Sequence, residues 1–156
     1  MRRRIVIILS ILSILLTAPL VLAADLKGIY ENAQRSFKRG NYEQAITEWT
    51  RVLTPEPTDT GGETIDPSNV YFNRGLTYKK LLKWKEAADD FSMVVGLDPN
   101  DAEAYYQRGG CYNMLGLPEK GKADVLKACE LKDDYCTAEM LEQKRERNEK
   151  NPGAYR

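Results

Sequence analysis

Between Tyr71 and Asp133 the chain says nearly the same thing twice, at a spacing of 34 residues. Tyr71, Gly75, Tyr78, Ala87, Phe91 and Pro99 are answered by Tyr105, Gly109, Tyr112, Gly121, Val125 and Asp133, and three of the six pairs are identical. A period of this length marks a small structural unit that buries its apolar face only by stacking on its neighbours. Apolar residues recur at helical spacing within each unit, with a break in the middle, so each copy predicts two helices joined by a turn. Gly75 and Ala87 are predicted at the crossing of the two helices, where small side chains let the backbones approach, while Tyr78 and Phe91 fill the space above and below.

A third copy lies upstream, offset by 42 residues: Ile29, Ala33, Ser36, Ala45, Trp49 and Pro57. The difference of 8 is taken up by an insertion at 60–67. The order of large, small, aromatic, small and bulky residues at this period resembles the tetratricopeptide repeat. The resemblance covers 26–59, 68–101 and 102–135 and implies an all-α fold: three helical hairpins in a short right-handed α-solenoid. The copy from Ser68 to Asp101 fits the pattern well. In the copy from Ala102 to Tyr135, Gly121 replaces the Ala, Val125 the aromatic and Asp133 the terminating Pro. Glycine within a helix costs about 1 kcal/mol relative to alanine, so a looser third hairpin is expected.

In chain order, the first helix is expected over Asp25–Lys38, with Gly40-Asn41 as its turn, and the second ends at Pro55 and Pro57. The polar insertion at 60–67, with Gly61-Gly62 at its tip, reads either as a partner-gripping finger or as a tolerated loop, since lengthening a surface loop costs little. Ser68 is expected to cap the next helix, Gly96 and Asp98-Pro99-Asn100 to close the one after, and Asp101 to cap the third hairpin. Residues 136–156 read as a polar capping helix and tail, since a stacked array needs a polar end. Asp133-Asp134 is placed at the turn before it, as a helix N-cap.

The chain opens with Arg2-Arg3-Arg4, an apolar run from Ile5 to Leu16, and Val21-Leu22-Ala23 before Ala24. These are the marks of a secretory signal peptide over 1–23, followed by the repeats over 24–135. Cleavage is placed after Ala23, with Ala24 as the alternative. An uncleaved membrane anchor is the other reading, because Ile5–Leu22 is about long enough to span a bilayer. Either way the body lies outside the cytoplasm, in a bacterial periplasm or secreted.

Lys and Arg number 23, as do Asp and Glu, and histidine is absent. Loss of the leader removes three arginines and leaves a balance of about −3, which gives no support to nucleic-acid binding, where a clustered basic face is needed. Without histidine, Ser-His-Asp and Cys-His nucleophiles and imidazole metal sites are excluded. Adjacent carboxylates such as Asp89-Asp90 diverge on a helix, and Gly109-Gly110 lacks the Lys-Ser/Thr of a phosphate loop. No catalytic residue, metal site, cofactor or small-molecule substrate is therefore expected. Cys111 and Cys129 stand too far apart along their helices to be bridged. Cys129 and Cys136 flank the next turn and can meet as a disulfide in an oxidising compartment. Three buried reduced thiols are the alternative.

The family resemblance implies that the first helices of the hairpins line a concave surface that holds protein or extended-peptide ligands. In that register Tyr30, Phe72 and Tyr106 place an aromatic at the same position of each repeat. Gln34, Asn73, Lys79, Gln107 and Asn113 supply polar partners. The carboxylate clamp known in the family corresponds here to Tyr30, Gln34, Asn73, Glu103 and Gln107, of which only Asn73 matches. An extended peptide with apolar anchors fits this set better. The alternative reading is that the rings shield the helix seam or pack beneath the capping segment. The implied function is a protein-interaction module, with a self-assembling or complex-assembly subunit as the alternative.

Overall fold

The computed structural model describes residues 26–53 and 65–150. The leader, Pro55, Pro57 and most of the insertion lie outside the described residues. Among the described residues seven α-helices follow one another: α1 (Leu26–Lys38), α2 (Tyr42–Val52), α3 (Pro67–Lys80), α4 (Trp84–Leu97), α5 (Ala102–Met114), α6 (Pro118–Leu131) and α7 (Ala138–Lys150), with a 3-10 turn at Asp133–Tyr135 before the last. Among the described residues there is no strand.

Local chemistry sets the boundaries. Asp66, not Ser68, caps α3: its carboxylate accepts from Ser68 N at 2.9 Å, and Pro67 takes the first helical position, where a missing N–H costs nothing. Asp101 caps α5 by accepting from Ala104 N at 2.9 Å. Gly96 does not stop α4, which runs on to Leu97 before Asp98 turns extended. Asp133-Asp134 sits in the 3-10 turn, and the side chain that caps α7 is Thr137, accepting from Met140 N at 3.2 Å. The residue that ends each intra-hairpin turn is left-handed: Gly40 (φ 81°), Leu82 (φ 58°) and Gly116 (φ 74°).

Burial is shared between hairpins. Ile29, Ala33, Ala45, Trp49 and Val52 pack with Val70 of the second hairpin, and Ile65, from the end of the insertion, closes over them. Ala87, Ala88 and Phe91 enclose Cys111 of the third hairpin, and Val94 and Val95 enclose Ala104. The first and second hairpins therefore each complete their core with the first helix of the next.

Gly121 has a role in the third hairpin that helix propensity does not show. A Cβ at Gly109 would meet the Gly121 carbonyl oxygen at 2.9 Å, and a Cβ at Gly121 would meet the Gly109 carbonyl oxygen at 2.9 Å. The two glycines let the backbones of α5 and α6 touch, so Gly121 is required by the approach. In the second hairpin Gly75 faces instead the ring of Phe91, 3.1 Å from where its Cβ would stand.

A second pattern repeats every 34 residues. Arg74 donates to both carboxylate oxygens of Asp90 (2.8 and 2.7 Å) and to Thr50 Oγ1 of the preceding hairpin (3.0 Å). Arg108 likewise donates to Asp124 (2.7 and 2.8 Å) and to Ser92 Oγ (3.2 Å). Each guanidinium is flanked by two tyrosine rings, Tyr71 and Tyr78 in one case, Tyr105 and Tyr112 in the other. The hydrogen bond to Asp90 holds Arg74 above its ordinary range against the cost of burial, while burial pushes Asp90 up and Arg74 offsets this in part. Two near-parallel N–H···O bonds are the geometry of an ionised pair. In the first hairpin Asn32 and Glu48 occupy the equivalent positions, and Glu48 accepts from Ser36 Oγ at 3.0 Å.

Cys129 and Cys136 form a disulfide, with Cα atoms 4.6 Å apart, tying the end of α6 to the segment before α7. Lys144 of α7 reaches back to Cys129 O (3.0 Å) and Asp133 (2.7 Å). Among the described residues α7 buries none of its side chains. Cys111 is a free, buried thiol whose pKa burial pushes up.

Candidate functional site

Because successive helices run antiparallel, α1, α3 and α5 lie side by side and present one face. Tyr30 sits edge-on to Trp49, ring centroids 5.1 Å apart, and Phe72 edge-on to Phe91 at 5.5 Å. Both are half-buried, their outer edges on the face and their inner edges on the core. Tyr106 differs. Val125 stands beneath it where the other hairpins have an aromatic, and the ring, 45% exposed, is covered from the side by Tyr135 at 5.0 Å. The three positions thus share a register but not an environment.

The polar residues divide in the same way. Gln34 lines a hollow of about 360 Å³ together with Lys27, Tyr30, Glu31, Ile65 and Asn69, between α1 and the start of α3. Asn73 donates to Asn69 O at 2.7 Å, and Lys79 Nζ donates to Gln107 Oε1, joining α3 to α5. Lys79 and Gln107 are both half-buried. Asn113 does not join this group: its side-chain oxygen lies over Gly121, and it borders a different hollow of about 440 Å³ with Lys122, Leu126 and Met140. The face therefore brings together Tyr30, Gln34, Phe72, Asn73, Lys79, Gln107 and Tyr106, and leaves Asn113 on the α6 side.

Sequence reasoning missed three contributors. Tyr135 covers Tyr106, and nothing in its local sequence marks it. Asn69 and Ile65 wall the first hollow; Ile65 is the one large apolar residue in the otherwise polar insertion, and that was a usable signal. Among the described residues no group of three or more His, Cys, Asp or Glu could hold a metal ion. No described helix is long and apolar enough to cross a membrane.

Residues 102–135 match the family model of the tetratricopeptide repeat. Its boundaries are those of the third 34-residue unit. The chain is 34% identical over 105 residues to the human mitochondrial import receptor subunit TOM70, covering 67% of this chain but only 17% of that protein. It resembles the second TPR domain of human RPAP3, solved in complex with the HSP70 peptide SGPTIEEVD (TM-score 0.59, 25% identity, 75% of this chain and 89% of that one). It also resembles MamA from Desulfovibrio magneticus RS-1 (TM-score 0.61, 26% identity, 70% of this chain and 59% of that one). The 34-residue spacing, the stacked hairpins and these likenesses agree: residues 102–135 form a tetratricopeptide repeat, and the chain has the fold of tetratricopeptide repeat proteins.

Proposed function

We propose that the protein is an extracytoplasmic interaction module whose α1–α3–α5 face holds an extended segment of a protein partner. The observation that carries this reading is the hollow bounded by Tyr30, Gln34 and Asn69, continued along the face by Phe72, Asn73, the Lys79–Gln107 pair and Tyr106. Rings with exposed edges, interleaved with amides, suit a peptide that inserts apolar side chains and satisfies its backbone between them. The RPAP3 domain, solved with a peptide ending in Glu-Glu-Val-Asp, supports peptide binding in this fold. Glu103 is exposed where the family's carboxylate clamp needs a cation, so an apolar-anchored segment is favoured over a terminal carboxylate.

The export part rests on the leader sequence. Its test is the intact mass of protein recovered from the exported fraction, which should begin at Ala24; retention of Met1 would make the leader an anchor.

The binding part is tested with a photo-crosslinking amino acid placed at Asn69, with the exposed Glu130 of α6 as control. Crosslinks to one partner from Asn69 alone are expected. Tyr106→Ala should then weaken that partner at least tenfold, about 1.4 kcal/mol, with little change in melting temperature. Equal crosslinking from both positions would refute the face as the site.

A further inference from the structure

The antiparallel order puts the turns within hairpins at one edge of the stack and the connections between hairpins at the other. These edges differ in chemistry. The turn edge carries the run Lys80-Leu81-Leu82-Lys83-Trp84-Lys85, flanked by Lys38 and Arg39 on one side and by Lys120 and Lys122 on the other. Its acids, Glu43, Glu86 and Glu119, are outnumbered, and Lys85 is paired with Asp89. The opposite edge carries Asp66, Asp98, Asp101, Asp133 and Asp134. A chain of zero formal charge is thus basic along one edge and acidic along the other.

Apolar side chains stand out from the basic edge. Leu82 is 68% exposed, Met114 60% and Leu117 41%. Leu82 is also left-handed, at the position where the other two hairpins use Gly40 and Gly116. A leucine there is disfavoured by its Cβ, and it gains no burial in exchange. Its conformation holds the side chain out at the tip of the central hairpin, between Lys80 and Lys83.

We infer that this edge docks on the surface of an anionic lipid bilayer. Separate apolar tips ringed by lysines match the headgroup boundary, where leucines enter the acyl region and lysines remain at the phosphates. Negative lipid attracts each lysine near it, while the acidic edge turns the molecule so that the lysines face the lipid. This docking is independent of the peptide face, which lies along the helix sides and stays open to solvent.

The test is flotation of the full chain with vesicles of phosphatidylcholine alone and of phosphatidylcholine with one-third phosphatidylglycerol. The leader's Arg2-Arg3-Arg4 also favour anionic lipid, so the contribution of the edge is read from the lysine and leucine variants, which leave the leader unchanged. The expected result is binding about tenfold or more stronger to the anionic vesicles, falling as salt screens the lysines. The double variant Lys80→Glu/Lys83→Glu should lose most of that difference, and Leu82→Gly should weaken anionic binding severalfold while melting no earlier than the parent. Equal binding to both vesicles, or no response to the lysine reversals, overturns the inference. So does a chain that ignores both vesicles yet binds immobilised polyglutamate through Lys80 and Lys83, which would make the edge a site for acidic protein.

Discussion

The second and third hairpins solve one packing problem in two ways. In the second, a glycine on α3 faces a large ring on α4, and Phe91 fills the crossing with its own volume. In the third, glycines on both helices bring the backbones together, leaving no room for a ring, and Val125 suffices. Side-chain volume and helix separation trade against each other, because interiors are packed to one density. The smaller third core has a further support that the second lacks, the disulfide to the segment that follows it.

Three measurements bear on this contrast. The largest effect is expected at the ring: Phe91→Ala should cost about 3–5 kcal/mol in urea unfolding, against about 1 kcal/mol for the half-buried Val125→Ala. Similar losses would mean that the two crossings are not alternatives. Next, removing the bridge by Cys129→Ser/Cys136→Ser should cost about 2–3 kcal/mol, and hydrogen exchange should locate that loss in α6 and α7, with α3 and α4 unchanged. The smallest effect is also the most discriminating. Gly121→Ala should destabilise by about 1–3 kcal/mol through overpacking. Gly110→Ala, where an added Cβ meets nothing within 4 Å, should stabilise by up to about 1 kcal/mol. Stabilisation by both substitutions would return Gly121 to a simple helix weakness.

Much of the fold was legible because a 34-residue period carries both helix positions and turn positions at once. The role of Gly121 was not, because propensity describes one helix, and the requirement for glycine comes from the backbone of another. Gly96 was misread for a related reason: glycine ends a helix when the chain must turn left-handed, and here it does not. The Arg74–Asp90 and Arg108–Asp124 pairs were present in the same period but lie on polar positions, which a search for apolar recurrence passes over. On the α1–α3–α5 face, sequence placed Tyr30, Phe72 and Tyr106 in one register. It gave no sign of what stands under each ring, and that depends on Trp49, Phe91 and Tyr135 from other elements. Lys79 and Asn113 occupy equivalent places in the repeat, yet one reaches α5 and the other folds onto Gly121.

The arginine pairs bear on how the array comes apart. Each guanidinium holds a carboxylate of its own hairpin and a hydroxyl of the one before, so hairpins one to three are coupled at every junction. An array of units joined this way behaves as a one-dimensional chain with nearest-neighbour terms. The series then stops: the next hydroxyl position is Leu126 and the next arginine position is Glu142. Across that last junction the bonds are a disulfide and the Lys144 contacts, neither of which repeats the arginine stitch. The cooperative unit accordingly ends with α6, and α7 can open as a separate low-energy step while the three hairpins remain folded.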